Sequence, residues 1–279
     1  MLKAIRLFFA KAYLLFCAVL HAILEPGFEK QERIMNILSY KYRDNDVFLV
    51  SFPKSGTTWM QMTLYQVFSD GEMDIDHIRN VIPYVEEGEI GQHKKLNRRV
   101  IASHLYYEDI PKTKAKYIYV MRDLDDVLVS LYYHSKNFGY EGTFDQHIEK
   151  YFKKKYKGGV WGKHLAGWLE NKKNLDVHFV KYEDLKVDFP KQLDEILSFC
   201  EVELDEETKQ RIIERSSMTY MKAHQEKFDQ VQYILLEENY IQNNFLRKGE
   251  VGDGKNYLSD EQKTIAQKEK ENYTLAVYQ

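Results

Sequence analysis

Pro53-Lys54-Ser55-Gly56-Thr57-Thr58-Trp59 lies between an apolar run, Asp46–Phe52, and a stretch of helical character. A glycine and small hydroxyl residues at a strand-to-helix junction let successive backbone N–H groups converge on one concave spot. The helix start adds partial positive charge, and Lys54 adds a full one. Such a turn binds phosphate or sulfate oxygens; its simpler reading is a connection capped by Thr57 or Thr58. The lysine precedes the glycine and GxxxxGK[ST] is absent, so this is not a Walker A loop.

Further groups lie where a parallel sheet would gather them. Arg122 directly follows the apolar run Lys116–Met121, and Ser130 comes later in the helical stretch behind it. The carboxyl ends of parallel strands line one crevice, so Arg122 is expected on the same edge as Lys54; Asp123, Asp125 or Asp126 is its competing partner. Arg247-Lys248-Gly249-Glu250-Val251-Gly252-Asp253 joins two adjacent cations to glycines that allow close backbone approach to an anion, or else is a surface turn. His104, just past Arg99–Ser103, puts an imidazole at the same edge, although a lone histidine is more often structural. The other histidines have no HExxH-type spacing, and two cysteines, Cys17 and Cys200, are too few for a four-thiolate zinc site or a disulfide scaffold. No metal is expected.

These groups need a scaffold. The strands read as Asp46–Phe52, Arg99–Ser103, Lys116–Met121 and Asp176–Lys181, nearly continuous apolar runs suited to burial on both faces. Helices are expected at Thr58–Ser69, Asp125–Asn137, Gly162–Asn171, Pro190–Cys200, Asp205–Arg215 and Asp260–Asn272. Residues 70–98 and 138–160 read as long irregular connections. The expected fold is α/β, a three-layer P-loop-like domain whose central, mostly parallel sheet is covered by helices on both faces. With 279 residues, 44% hydrophobic and 30% charged, a single domain over 27–279 fits, and wholesale disorder is excluded. A net charge of −3 argues against a general nucleic-acid binder.

Residues 4–24, AIRLFFAKAYLLFCAVLHAIL, are the most apolar stretch. At about 100° per residue, with Arg6 at zero, Lys3 and His21 fall near ~60°, Glu25 near ~100° and Lys11 near ~140°. All polar groups then share one arc, which favours an amphipathic helix over 1–26, lying in a membrane surface or packed on protein, over a spanning segment. No small-x-small cleavage site supports a signal peptide.

Five segments together resemble the sulfotransferase superfamily, especially its soluble type: PKSGTTW at 53–59, the histidine strand end at 101–105, YVMRDLDDVLVS at 119–130, KYEDL at 181–185 and RKGEVGD at 247–253. The resemblance covers about residues 28–260 and implies 3′-phosphoadenosine 5′-phosphosulfate (PAPS) as donor, without a metal. It implies that Lys54, Ser55, Gly56, Thr57 and Thr58 hold the 5′ phosphosulfate and that Trp59 packs near the adenine. Arg122, Ser130, Arg247, Lys248 and Gly249 would hold the 3′ phosphate. Tyr182, Ser216, Met218 and Phe245 would meet the nucleoside. His104 matches the family's general base, Lys54 would stabilise charge on the bridging oxygen, and Ser130 would steer Lys54. Tyr84, His134 and Phe138 are the acceptor-pocket candidates, with Tyr132 beside them, for a small and lipophilic alcohol or amine. Cytoplasmic placement is expected, with peripheral membrane contact through residues 1–26. The oligomeric state stays open. A nucleotide kinase or NTPase, and a nucleotide-binding protein without turnover, are the competing functions.

The sequence departs from the family pattern at Ala102, where the soluble members usually carry lysine, and at Gly252-Asp253-Gly254 in place of GDW. Residues 255–264 (KNYLSDEQKT) lack the small dimer contact of the family.

Overall fold

The computed structural model describes residues 35–38, 40–87, 96–153, 159–229 and 246–274. The segment 1–26 and Phe245 lie outside them. Four parallel strands, β1 (Val47–Ser51), β2 (Val100–Ser103), β3 (Lys116–Met121) and β4 (Asp176–Lys181), form one sheet in the order β2-β1-β3-β4. The four expected strands are therefore present, β3 and β4 at their expected bounds and β1 and β2 slightly shorter. In β1 every residue is buried, because alternate side chains enter different cores. Val47 and Leu49 pack with α1 (Thr57–Val67), while Phe48 and Val50 pack on the opposite face with α2 (Leu124–Asn137). This two-sided burial explains why the strands read as continuous apolar runs rather than alternating ones.

Behind α1 lie α6 (Phe189–Cys200) and α7 (Glu206–Arg215), followed by the short α8 (Met218–Ala223). On the other face lie α3 (Phe144–Phe152), α4 (Trp161–Glu170) and α9 (Asp260–Thr274). A short α5 (Tyr182–Val187) follows β4 at once, so KYEDL forms a strand-to-helix corner. There the Glu183 carboxylate accepts the Asp123 N–H at 3.0 Å, tying that corner to the start of α2. Among the described residues no helix is long and apolar enough to cross a membrane.

Two stretches read as irregular are partly ordered. Helix α3 lies within 138–160 and opens on a capping box: Thr143 accepts the Gln146 N–H at 3.3 Å, and the Gln146 side chain accepts the Thr143 N–H at 3.0 Å. That T-x-x-Q signature was present in the sequence. Within 70–98, 3₁₀ turns form at Ile78–Asn80 and Val85–Glu87, and Tyr84 pairs in parallel with Ala102. This pairing sets Glu86 beside the end of β2. Ala102 is fully buried in the core on the α1 side, and its N–H bonds the Pro83 carbonyl at 2.9 Å.

Candidate active site

In register, Val50 stands opposite Ser103 on one side and Tyr119 on the other, so β1, β2 and β3 end together at one edge. The turn after β1 has two residues in the left-handed region, Lys54 at φ 69° and Gly56 at φ 110°. Lysine adopts that conformation at a steric cost, which marks a constrained turn. Gly56 is required for a second reason: a Cβ there would stand 2.7 Å from Cδ2 of Tyr182. Gly56 is also the N-cap of α1 and supplies no side-chain cap. Thr57, the expected capping alternative, instead meets the Ser51 hydroxyl, Oγ to Oγ1 at 2.6 Å. The first amides of α1 are thus left for an external acceptor. The buried Ser55 Oγ has no hydrogen-bond partner among the described residues.

The hydrogen bonds of His104 fix its tautomer. Nδ1 lies 2.7 Å from the Ser51 carbonyl oxygen, which can only accept, so in the neutral ring the proton sits on Nδ1 and Nε2 is the basic nitrogen. The His104 backbone is held as firmly. Its N–H donates to Glu86 Oε1 at 2.6 Å, and its carbonyl accepts from His164 Nε2 at 3.2 Å. The Tyr119 hydroxyl in turn donates to His164 Nδ1 at 2.7 Å. Burial pushes His164 down to about 3, so its links to Tyr119 and to the His104 carbonyl join neutral groups. The Tyr84 ring packs 5.0 Å from the His104 ring, and burial pushes its phenol pKa up. Glu86, His164 and Tyr119 do not follow from spacing; the Tyr84–Ala102 pairing, the packing of α4 and the β1–β3 register bring them here.

Arg122 is buried. Its guanidinium donates to the Lys54 carbonyl at 3.4 Å and the Glu250 carbonyl at 3.1 Å, and lies 4.2 Å from the Tyr182 ring centre. Of its three expected acidic partners Asp126 is the near one, at 3.7 Å. Asp126 also accepts the backbone N–H groups of Gly252 at 2.9 Å and Gly254 at 2.8 Å, anchoring the loop that carries Arg247. Gly254 fits there because a Cβ would meet the Asp125 backbone at 2.4 Å. Within the loop Asp253 pairs with Arg247 at 2.7 Å and Lys248 at 3.0 Å. Burial raises the Asp253 pKa, but bonds from Arg247, Lys248 and Asn256 hold it below the usual carboxylate range.

These pieces open on one cavity of about 290 Å³. Lys54, Gly56, Thr57, Thr58, Trp59, Tyr84, His104, Arg122, Ser130, His134, Tyr182, Met218, Arg247 and Gly249 all line it. Five expected site residues among those described stand apart from its lining. Ser55 is buried in the turn, and Lys248 turns to Asp253. Ser216 is buried behind α1, where it accepts from Gln66 at 3.3 Å. Phe138 packs edge-on against His134, 5.0 Å between ring centres. Tyr132 turns away to Phe144 and His147. Pro53, Met221 and Leu246 line the cavity without having been foreseen.

Electrostatics inside the cavity are strained. Burial first, then Arg122, push Lys54 down to about 8, against an opposing pull from Asp229. Burial first, then Lys54, His104 and Arg79, push His134 down to about 2. The cavity therefore offers a lysine whose charge is lost just above neutral pH and a neutral imidazole next to it. Among the described residues no group of three or more His, Cys, Asp or Glu side chains is placed to hold a metal ion.

Residues 44–272 match the sulfotransferase domain family model. The rabbit (Oryctolagus cuniculus) amine sulfotransferase is 32% identical over 85% of this chain and 84% of its own length. Mouse sulfotransferase 2B1 is 35% identical over 81% of this chain and 69% of that protein. Among solved structures, a mouse sulfotransferase complexed with PAP superposes with a TM-score of 0.68 at 27% identity, covering 88% of this chain and 90% of that one. A retinol dehydratase complexed with androsterone and PAP reaches 0.74 at 19% identity, a likeness of fold. With the domain model spanning most of its length, and with this turn, imidazole and arginine pair on one sheet edge, the chain belongs to the sulfotransferase family.

Proposed function

We infer that this chain moves a sulfuryl group from PAPS to the hydroxyl or amine of a small acceptor, with His104 as general base. The observation that carries this reading is the hydrogen bond from His104 Nδ1 to the Ser51 carbonyl, which makes Nε2 the basic nitrogen of the neutral ring that lines the cavity.

The residues fit a donor with anions at both ends. At one end are the start of α1, which has no side-chain cap, the Lys54 ammonium and the Ser55 hydroxyl, without a partner among the described residues, which would take the 5′ phosphosulfate. At the other are Arg122, whose buried Nε has no partner among the described residues, and Arg247, which would take the 3′ phosphate with Ser130 and Gly249. Trp59, Tyr182 and Met218 lie between and would flank the nucleoside. When bound, PAPS supplies an electrophilic sulfur and a stable bisphosphate leaving group.

His104 Nε2 accepts the proton from the acceptor hydroxyl or amine, and the imidazolium is steadied by its Nδ1–H bond to Ser51. Glu86 and His164 hold the residue's backbone so that the ring keeps its aim. Lys54 supplies positive charge where negative charge builds on the leaving oxygen. A sulfuryl group carries less negative charge than a phosphoryl group, so lysine and backbone donors are matched to it. Tyr84 and His134 border the acceptor end.

Calorimetric titration with adenosine 3′,5′-bisphosphate and with adenosine 5′-phosphate tests the reading. The bisphosphate is expected to bind at least about tenfold more tightly, a difference of about 1.4 kcal/mol. Equal affinity would remove the roles given to Arg122 and Arg247. Metal-independent sulfuryl transfer to an alcohol or amine separates this reading from a nucleotide kinase and from a binding protein without turnover.

The amphipathic pattern of residues 1–26 supports a finer reading, in which the chain works in the cytoplasm, rests on a membrane surface and takes a lipophilic acceptor. Deleting 1–26 is then expected to abolish co-sedimentation with anionic vesicles; unchanged sedimentation would end that part.

A further inference from the structure

Lys54 and His134 come from different elements, the turn after β1 and the last turn of α2, yet Lys54 Nζ lies 3.5 Å from His134 Nδ1. Both side chains line the cavity. An ammonium only donates, so in this contact Nδ1 is the acceptor and the imidazole proton sits on Nε2. The ring is braced from behind by Phe138, packed edge-on at 74°. Ser130 is one turn earlier on the same face of α2 and lines the same cavity. Among the described residues, the charged and titratable groups facing His134 include Lys54, His104 and Arg79, and those facing Lys54 include Arg122 and Asp229.

We propose that His134 is a positioning residue for Lys54, its neutral Nδ1 accepting a hydrogen bond that holds the ammonium on the α2 side of the cavity. The significance of this for catalysis rests on the role given to Lys54 above; the contact itself does not require a donor. A desolvated ammonium surrendering its proton near neutral pH gives a catalyst little charge to work with. An acceptor bonded to the charged form opposes that loss. His134 suits the task because burial and the cations around it keep its own ring neutral, far from competing for the same proton. A carboxylate in its place would hold the ammonium too firmly to yield it to an anionic oxygen, while the imidazole yields it.

The test follows the titration of Lys54 in the nucleotide-free, full-length protein. Competitive acetylation with acetic anhydride is run across about pH 6–10, with the Lys54 peptide quantified by mass spectrometry. The wild-type midpoint is expected near 8. His134→Phe removes the acceptor, and its midpoint is expected about one unit lower. His134→Asn, whose side-chain oxygen replaces Nδ1, is expected to keep the wild-type midpoint. His134→Leu repeats the experiment in case the larger ring disturbs α2, and thermal melting confirms which variants fold. A His134→Phe or His134→Leu midpoint equal to wild type, or a His134→Asn midpoint as low as theirs, overturns the proposal. No nucleotide is present, so this failure is distinct from a failure to bind adenosine 3′,5′-bisphosphate.

Discussion

The proton on the His104 ring is committed to Ser51: Nδ1 stands 2.7 Å from the Ser51 carbonyl, at the last residue of β1. The strand that leads into the Lys54–Gly56 turn thus also sets the tautomer of the imidazole that follows its neighbour, β2. Replacing His104 by Ala is expected to lower kcat/KM by about 10²–10⁴, the usual contribution of a positioned base. Affinity for adenosine 3′,5′-bisphosphate, measured by calorimetry, should stay within about threefold of wild type, because the groups assigned to it are on other residues. A comparable loss of bisphosphate affinity would mean that His104 serves binding instead.

Lys54 gives a pH dependence of definite sign. Its pKa is pushed below the ordinary lysine value, to about 8, so the ammonium is charged below that pH and neutral above it. Binding of adenosine 3′,5′-bisphosphate is expected to hold steady from about pH 6.5 to 7.5 and weaken by up to about tenfold per unit above 8. Lys54→Met should bind more weakly at neutral pH and lose this slope. Calorimetry in buffers of matched ionic strength checks both.

Gly56→Ala would force a side chain into a backbone at φ 110° and against Tyr182 at 2.7 Å. The change should destabilise the fold by about 1–3 kcal/mol and move Tyr182 off the cavity wall. A lowered melting temperature with weakened bisphosphate binding is the expected pair of results; a variant as stable and as tight as wild type would refute the account of this turn.

Asp126 is nearly inaccessible and offers one carboxylate oxygen each to the amides of Gly252 and Gly254. Asn at this position keeps one acceptor and turns an NH₂ toward the other amide, leaving a buried donor unpaired at a cost of about 1–3 kcal/mol. The loop bearing Arg247 and Gly249 should loosen. Bisphosphate affinity is then expected to fall about tenfold while affinity for adenosine 5′-phosphate barely changes, so the ratio of the two is the measurement.

The strands were legible because burial on both faces leaves an apolar run that propensity alone reveals, as in Val47–Ser51. The turn at 53–59 was legible because a lysine, a glycine and small hydroxyl residues stand together at a strand-to-helix junction. Helix α3 falls in a stretch that reads as irregular because it is polar and turn-rich, with Gly139 and Gly142 just ahead of it, although Thr143 and Gln146 announce its start.

Residue identity and order determined the chemistry on offer: a lysine–glycine–threonine turn, an arginine after a strand, a histidine at a strand end and a second basic loop. Only the tertiary structure decided how these groups act. A hydrogen-bond tautomer, such as that of His104, depends on which carbonyl the ring faces, and Ser51 is remote in sequence. The supports from Glu86 and His164, the meeting of Lys54 with His134, and the Asp126 anchor all join distant segments. Ser216, Lys248 and Phe138 were set apart from the cavity lining for the same reason: side-chain direction is fixed by packing across elements, which sequence spacing does not encode.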